Sequence, residues 1–377
     1  MSDVYCSTKF NELQVHVQSR LVYNCCKAYP ERINLEWLEN NPGKLFNTQT
    51  MIQDRTKMLS GQRCQSCDWG CYRYEDQGLT SARKDKGDRS IQQAESALKD
   101  LKISLSNDCN LTCAYCSAEW STSWAREIEK NGNFDIPGYK NEVDHWAKLW
   151  SKVKQKDRSH ESKFFKLLQR EIGLCPTIDR ITFLGGEPLL NNGLLDVMTS
   201  ADGINTTIVS GLGLDKNRLA NMIGQMDPKK VTFDVSCEST GRFFEFIRNG
   251  LAWKDFCDNL ELIRKNGFNV RIIATVSNLS SFDIKNFYDL HEQDDIVFNP
   301  VSDRNFMNPN VLDEQSKENI LSIKSNSSFL NKVKESVGLP YDDNDRKNLA
   351  VFLEKFCRIK KLSMEIFPDS FRKWLVI

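Results

Sequence analysis

Three cysteines within eight residues carry the most definite chemistry in this 377-residue chain. They lie in Ser106-Asn-Asp-Cys109-Asn-Leu-Thr-Cys113-Ala-Tyr-Cys116, a Cys-x3-Cys-x2-Cys spacing. Thiolates hold iron–sulfur clusters, and four of them would saturate a four-iron cluster. No fourth cysteine follows before Cys175, so three ligands would leave one iron open to a substrate or cofactor. Zinc is the alternative, but structural zinc usually takes two Cys-x2-4-Cys knuckles or adds histidines, and no histidine lies near. A second group, Cys6, Cys25, Cys26, Cys64, Cys67 and Cys71, occupies the first 71 residues. The remaining four of the 13 cysteines (Cys175, Cys237, Cys257 and Cys357) are scattered and read as small buried hydrophobes.

These thiols sit in an otherwise ordinary composition, 40% hydrophobic and 27% charged. Lys+Arg and Asp+Glu both number 51, so no global field points to nucleic acid or an anionic membrane as a partner. No apolar run approaches the ~20 residues that span a bilayer. The opening Met1-Ser-Asp-Val-Tyr-Cys6 has neither the basic region nor the apolar segment of a signal peptide. A cytoplasmic protein is expected. In that reducing compartment, clustered cysteines read as metal ligands or catalytic thiols rather than disulfides.

The elements that must position the thiols follow from periodicity. β-branched runs at 101–106, 180–184, 206–210, 231–236, 269–276 and 295–299 read as six strands. Helical candidates lie between them at 161–172, 194–199, 217–225, 251–265 and 282–292, the fourth ending in Asn266-Gly267, a common stop. Alternating strands and helices imply a parallel α/β sheet, either an open partial barrel or a doubly wound sheet. In both, ligands sit at the carboxyl ends of strands, and Cys109 directly follows the first of the six. Upstream, 10–17 and 20–24 read as a hairpin and 48–59 as a helix. The polar stretch 76–90 reads as a connector. Trp120, Trp124, Trp146 and Trp150 mark a long insert at 117–160 that reads as helical core.

The three-cysteine loop, with Tyr115 before its last cysteine, resembles the signature of the radical S-adenosylmethionine (radical SAM) family. The second strand ends in Phe183-Leu-Gly185-Gly186-Glu187-Pro188, similar to the family's Gly-Gly-Glu motif. The resemblance implies a partial (βα)6 barrel over residues 91–305 and a helical extension over 306–377. It implies a four-iron cluster on Cys109, Cys113 and Cys116, with SAM as cofactor. Gly185, Gly186 and Glu187 would receive the SAM amino group: glycines let the backbone approach closely, and a carboxylate meets an ammonium. Ser210 and Ser236 resemble strand-end hydroxyls that contact the SAM carboxylate or ribose. Two departures from the usual pattern are Ser210-Gly211-Leu212 and Cys237-Glu238.

Residues 1–90 resemble a twitch domain, a short relative of the SPASM domain, as a small cysteine-rich α+β unit. Asp54-Arg55, Met58-Leu59, Cys67 to Glu75, Gly78 and Ser81-Ala-Arg83 carry that likeness, with Phe367-Pro368 as a matching tail. Here the unit precedes the barrel, whereas in many relatives it follows. The resemblance implies an auxiliary iron–sulfur cluster on Cys6, Cys25, Cys67 and Cys71. Cys64 is the alternative to Cys67, Cys26 should point away from Cys25, and a zinc site remains the rival chemistry.

The implied function is reductive SAM cleavage to a 5′-deoxyadenosyl radical that abstracts hydrogen from a small molecule, peptide or protein side chain. An electron donor such as flavodoxin or ferredoxin is the implied partner. With Cys6 so near the start there is no room for a leader-recognition segment, which favours a small molecule or a peptide presented by another protein. The alternative function is a non-catalytic zinc or iron–sulfur module in a redox or nucleic-acid-binding protein.

Overall fold

The computed structural model describes residues 4–76, 78, 81–85, 96–134, 136, 159–301 and 304–376. Two compact units emerge, Met1–Ser106 with Val153–Thr207, and Asn107–Lys152 with Ile208–Ile377. Most of the expected connector at 76–90 lies outside the described residues, as do Trp146 and Trp150.

The first unit is built on strands β1 (Glu12–His16), β2 (Leu21–Tyr23), β3 (Glu31–Arg32), β4 (Asp100–Ser104) and β5 (Arg180–Leu184), ordered β3-β2-β1-β4-β5. β1 and β2 form the expected antiparallel hairpin, with Gln14 opposite Tyr23. β1 also pairs in parallel with β4 over all five of its residues, from Glu12 opposite Asp100 to His16 opposite Ser104. The alternation in the sequence explains this position. Side chains two apart share a face, so Leu13 and Val15 point one way while Glu12, Gln14 and His16 point the other. Both sets are buried. On the apolar side, Leu13 and Leu101 meet Leu45, Phe46, Leu168, Ile172 and Ile178 around one small cavity. Leu168 and Ile172 belong to the helix Ser159–Gly173, which the apolar spacing at 161–172 anticipates. Buried Glu171 on that helix accepts from the backbone N–H groups of Gly43 (3.1 Å) and Leu45 (3.2 Å), fixing the 43–45 loop against it.

The helix Gln49–Leu59 starts where sequence signals place it, because the Thr48 side chain accepts from the Met51 N–H as an N-cap. It carries Asp54 and Met58 inward.

β6 (Asn205–Ser210) contains the boundary between the units. The second unit continues with β7 (Val231–Ser236), β8 (Asn269–Val276) and β9 (Asp295–Pro300), all parallel, with Phe233 opposite Val270 and Ala274 opposite Phe298. The helix Trp253–Lys265 buries Phe256, Leu260 and Ile263. Its Asn259 side chain donates to the carbonyls of Leu212 (3.0 Å) and Leu214 (2.8 Å), tying down the loop after β6. The C-terminal part is helical, with Glu314–Leu321, Ser328–Val337, Asp343–Lys360 and Asp369–Leu375. Phe352, Phe356 and Phe371 from these helices are buried, as is Phe367 just before the last of them. The helix Thr122–Asn131 falls in the insert at 117–160 that reads as helical, whereas Gly241–Ile247 lies outside every helical candidate. The second is two turns long and opens on a glycine, too short for an apolar stripe to stand out.

Candidate metal and cofactor sites

In the second unit, the loop carrying Cys109, Cys113 and Cys116 is held from its flanks. Two residues at the start of the Thr122–Asn131 helix grip Cys109. The Thr122 hydroxyl meets both its N–H and its carbonyl at 3.2 Å, and the Ser123 hydroxyl donates to that carbonyl at 2.9 Å. The Trp124 Nε1–H donates to the Cys113 carbonyl at 2.9 Å, and the Ser121 hydroxyl to that of Leu111 at 2.7 Å. From the other flank, Thr112 N–H donates to the Asn249 carbonyl and Ala114 N–H to that of Ile247. Gly213 and Gly250 let Leu111 come close: a Cβ at Gly213 would stand 3.2 Å from the Leu111 side chain, and Gly250 has φ +107°. Trp124 in turn packs on Phe134 and Phe356, so the helix Asp343–Lys360 supports the loop through one indole. This bears on the tryptophan insert, since Trp124 is buried as core.

Burial pushes the Cys113 thiol up, and the Arg248 guanidinium is the first influence pulling it back. Burial likewise raises Cys116, against Arg304 and then Arg248. Arg304 also donates to the Ala114 carbonyl at 3.3 Å. Three thiolates would be costly in so enclosed a loop without compensation. Two arginines within electrostatic reach supply it, so the donor set fits a thiolate-bound, negatively charged centre.

Arg248 belongs to a buried group that sequence reading did not find. Its Nη2 donates to Glu238 Oε2 at 2.7 Å, and the Tyr115 hydroxyl donates to Glu238 Oε1 at 3.2 Å. Both charged side chains are almost fully buried, 4% and 0% exposed. Burial works against the Arg248 charge, but Glu238 more than offsets it and holds the guanidinium well above its usual range. Tyr115 is therefore tied by its hydroxyl to the segment after β7. The signal in the sequence was Cys237-Glu238 itself, where a buried acid demanded a cation that only folding could designate. Ser210 is buried and accepts from the Leu212 N–H at 2.9 Å, which turns the chain out of β6. Ser236 closes β7, half-buried, opposite Ile273. Cys237 is wholly buried and donates to the Ser239 carbonyl, as expected of an isolated cysteine.

In the first unit, the Gly-Gly-Glu turn follows β5. Gly185 has φ +122°, and a Cβ there would lie 2.3 Å from Ser104 Oγ and 3.1 Å from the Ser106 carbonyl. Only glycine fits both constraints. Gly186 N–H donates to the Ser106 carbonyl at 3.3 Å, pinning the turn to the end of β4. Buried Glu187 accepts from the Leu189 N–H at 3.3 Å through Oε1, capping the turn Pro188–Leu190.

Residues 103–290 match the Radical SAM superfamily. The chain carries a radical SAM domain. None of the curated proteins matches the chain. Among solved structures, one similar to it is anSMEcpe with bound AdoMet, at 14% identity and a TM-score of 0.36, covering 70% of this chain and 63% of that one. Another is SuiB of Streptococcus suis bound to S-adenosylmethionine, at 16% identity and 0.38, covering 78% and 62%. The chain thus spans about three fifths of the length of these proteins. The matched stretch runs from the end of β4 through β8, and with it the three-cysteine loop and the Gly-Gly-Glu turn.

Outside the radical SAM domain, the N-terminal thiols gather in the first unit. Cys64 and Cys67 pack with Phe10, Met58 and Tyr72, with Cys6 and Tyr5 against them. Cys64 and Cys67 have their sulfurs 3.5 Å apart. The Cys67 thiol is pushed up by its hydrogen bond with Cys64, by burial and, further down, by Cys6. Cys71 is raised by burial and by Cys6, against hydrogen bonds from the Arg83 N–H and the Ser81 hydroxyl. Cys25 is raised by Cys26 and burial, with Cys6 again contributing, and accepts from the Lys27 N–H at 3.4 Å. Cys6 therefore lies within electrostatic reach of Cys25, Cys67 and Cys71. Several of these sulfurs receive N–H or O–H donors, a donor pattern that suits a thiolate-bound centre. Among the described residues, no three Cys, His, Asp or Glu side chains stand close enough to enclose a single ion.

Proposed function

We propose that this chain is a radical SAM enzyme that reductively cleaves S-adenosylmethionine and uses the resulting 5′-deoxyadenosyl radical to abstract hydrogen from a substrate, a small molecule or a peptide or protein side chain. The observation that carries the reading is the Cys-x3-Cys-x2-Cys loop, clamped after β4 inside the stretch that matches the superfamily. A four-iron cluster bound there would supply the electron for that cleavage. Cys109, Cys113 and Cys116 would hold it. Thr122, Ser123 and Trp124 fix the loop carbonyls, while Arg248 and Arg304 offset the thiolate charge. Glu187 would take the SAM amino group through its carboxylate, with Gly185 and Gly186 keeping that approach open. Ser210 and Ser236 are the proposed polar contacts at the ends of β6 and β7, and Tyr115 holds the loop through Glu238. A reductant of the flavodoxin or ferredoxin class would feed electrons in.

The second element of the proposal is an auxiliary iron–sulfur cluster on Cys6, Cys25, Cys67 and Cys71. Support comes from the three thiols that share Cys6 as neighbour and from the donors aimed at their sulfurs. Cys64, in contact with Cys67, is the alternative ligand.

The test is anaerobic purification and reconstitution, followed by a SAM-cleavage assay with dithionite. Replacing Cys109, Cys113 and Cys116 together by alanine should abolish 5′-deoxyadenosine formation yet leave iron bound through the N-terminal thiols. Continued 5′-deoxyadenosine production by the triple variant would sink the assignment.

A further inference from the structure

A buried lysine stands beside the N-terminal thiols with no part in the chemistry described so far. Lys9, in the short helix Thr8–Asn11, is 2% exposed. Its Nζ donates to Asp54 Oδ2 at 2.8 Å and to Ser66 Oγ at 2.6 Å. Ser66 connects this ion pair to the thiols. Its hydroxyl contacts Asp54 Oδ2, and it lies 3.7 Å from the Cys64 sulfur and 4.0 Å from that of Cys67. With the ammonium donating to Ser66, the single hydroxyl proton is left to point at Asp54 or at a sulfur. Burial works against the Lys9 charge, but the Cys67 thiol and Asp54 more than offset it and hold its pKa above the ordinary value.

Lysine is almost never fully buried without a partner, and taking an ammonium out of water costs several kcal/mol. Asp54 alone would answer that cost, leaving a neutral pair. The pair is not placed at random, however. Lys9 and Asp54 both meet the Ser66 hydroxyl, which lies against two thiols 3.5 Å apart, so the cation and its carboxylate act on the same sulfurs with opposite sign. A charge so placed acts on any thiolate-bound centre more strongly than on the same centre in water.

We infer that the Lys9–Asp54–Ser66 group sets the reduction potential of the N-terminal metal centre, Lys9 as the cation that stabilises its reduced form and Asp54 as the anion that limits the effect. The inference rests on the auxiliary cluster proposed above. A cation near a centre that gains negative charge on reduction favours the reduced state. Removing it makes the centre harder to reduce, and removing its carboxylate partner makes reduction easier.

The experiment is a mediated dithionite titration of the intact reconstituted enzyme, followed by electron paramagnetic resonance. The N-terminal signal is the one lost in the C67A/C71A double variant. In Lys9→Met its midpoint should move to more negative potential by about 59 mV, a tenfold change in the one-electron equilibrium constant. In Asp54→Asn it should move the opposite way, and Lys9→Arg should restore the wild-type value. The midpoint of the cluster on Cys109, Cys113 and Cys116 should stay where it is in all three. If Lys9→Met fails to fold, Asp54→Asn still decides the matter. Unchanged midpoints, or shifts of one sign in both variants, would overturn the inference while leaving the auxiliary cluster in place. Stoichiometric zinc and a single four-iron cluster in the wild type would instead overturn the reading beneath it, and metal analysis shows this before any titration.

Discussion

Glu187 illustrates how one residue serves a turn and a proposed ligand at once. One of its oxygens caps the Pro188–Leu190 turn, so Glu187→Ala alters both roles. Glu187→Gln keeps an acceptor for the Leu189 N–H and removes only the charge. A hydrogen bond to a charged partner contributes ~1.5–3 kcal/mol, so either variant should weaken SAM binding roughly tenfold or more. Equilibrium binding measured by calorimetry on the folded variants checks this, and wild-type affinity in Glu187→Gln would remove the residue from the site. The Tyr115–Glu238–Arg248 group is the other residue-scale result. A buried ion pair of this kind owes its place to mutual compensation, since either partner alone would be an uncompensated buried charge.

At the scale of elements, the register of β1 against β2 and β4 puts a histidine where it cannot be charged. His16, Gln14 and Tyr23 share one buried face, with Gln14 Nε2 3.1 Å and the Tyr23 hydroxyl 2.5 Å from His16 Nε2. Burial lowers the His16 pKa from 6.5 to about 3. The folded state therefore binds this proton less readily than the unfolded chain. The stability associated with a neutral His16 is complete above about pH 6.5 and is lost as the pH falls from there towards 3. At pH 5 the loss relative to neutral pH should be about 2 kcal/mol. Denaturant unfolding of wild type and His16→Asn at pH 7.5 and 5 tests it: the gap between the two proteins should narrow by that amount at the lower pH. A gap of constant size would show that His16 titrates normally.

At the scale of the molecule, the proposal predicts two iron–sulfur centres on one chain. The reconstituted enzyme should hold about eight irons, falling to about four when Cys67 and Cys71 are both replaced, at four irons per cluster. Among the described residues, no helix is long and apolar enough to cross a membrane.

Strand positions were legible because β-branched runs bounded by polar turns have few other ways to fold. β5 and β7 fall on the residues that pattern marks, and β8 does too. The three-cysteine loop was legible because its spacing is local, and local geometry survives any arrangement of the rest. Gly185 was legible as a glycine, but its reason, a Cβ colliding with Ser104, needed β4 and β5 paired in register. What the chain order concealed were the contacts between distant segments. The pairing of β1 with β4 joins residues 12–16 to 100–104. Arg248 meets Glu238 from just past a short helix with no stripe to announce it, and Lys9 finds Asp54 and Ser66 across 45 and 57 residues. Periodicity reports which face of an element is apolar, whereas the partner of a buried charge is chosen by packing, and only the tertiary structure decided that.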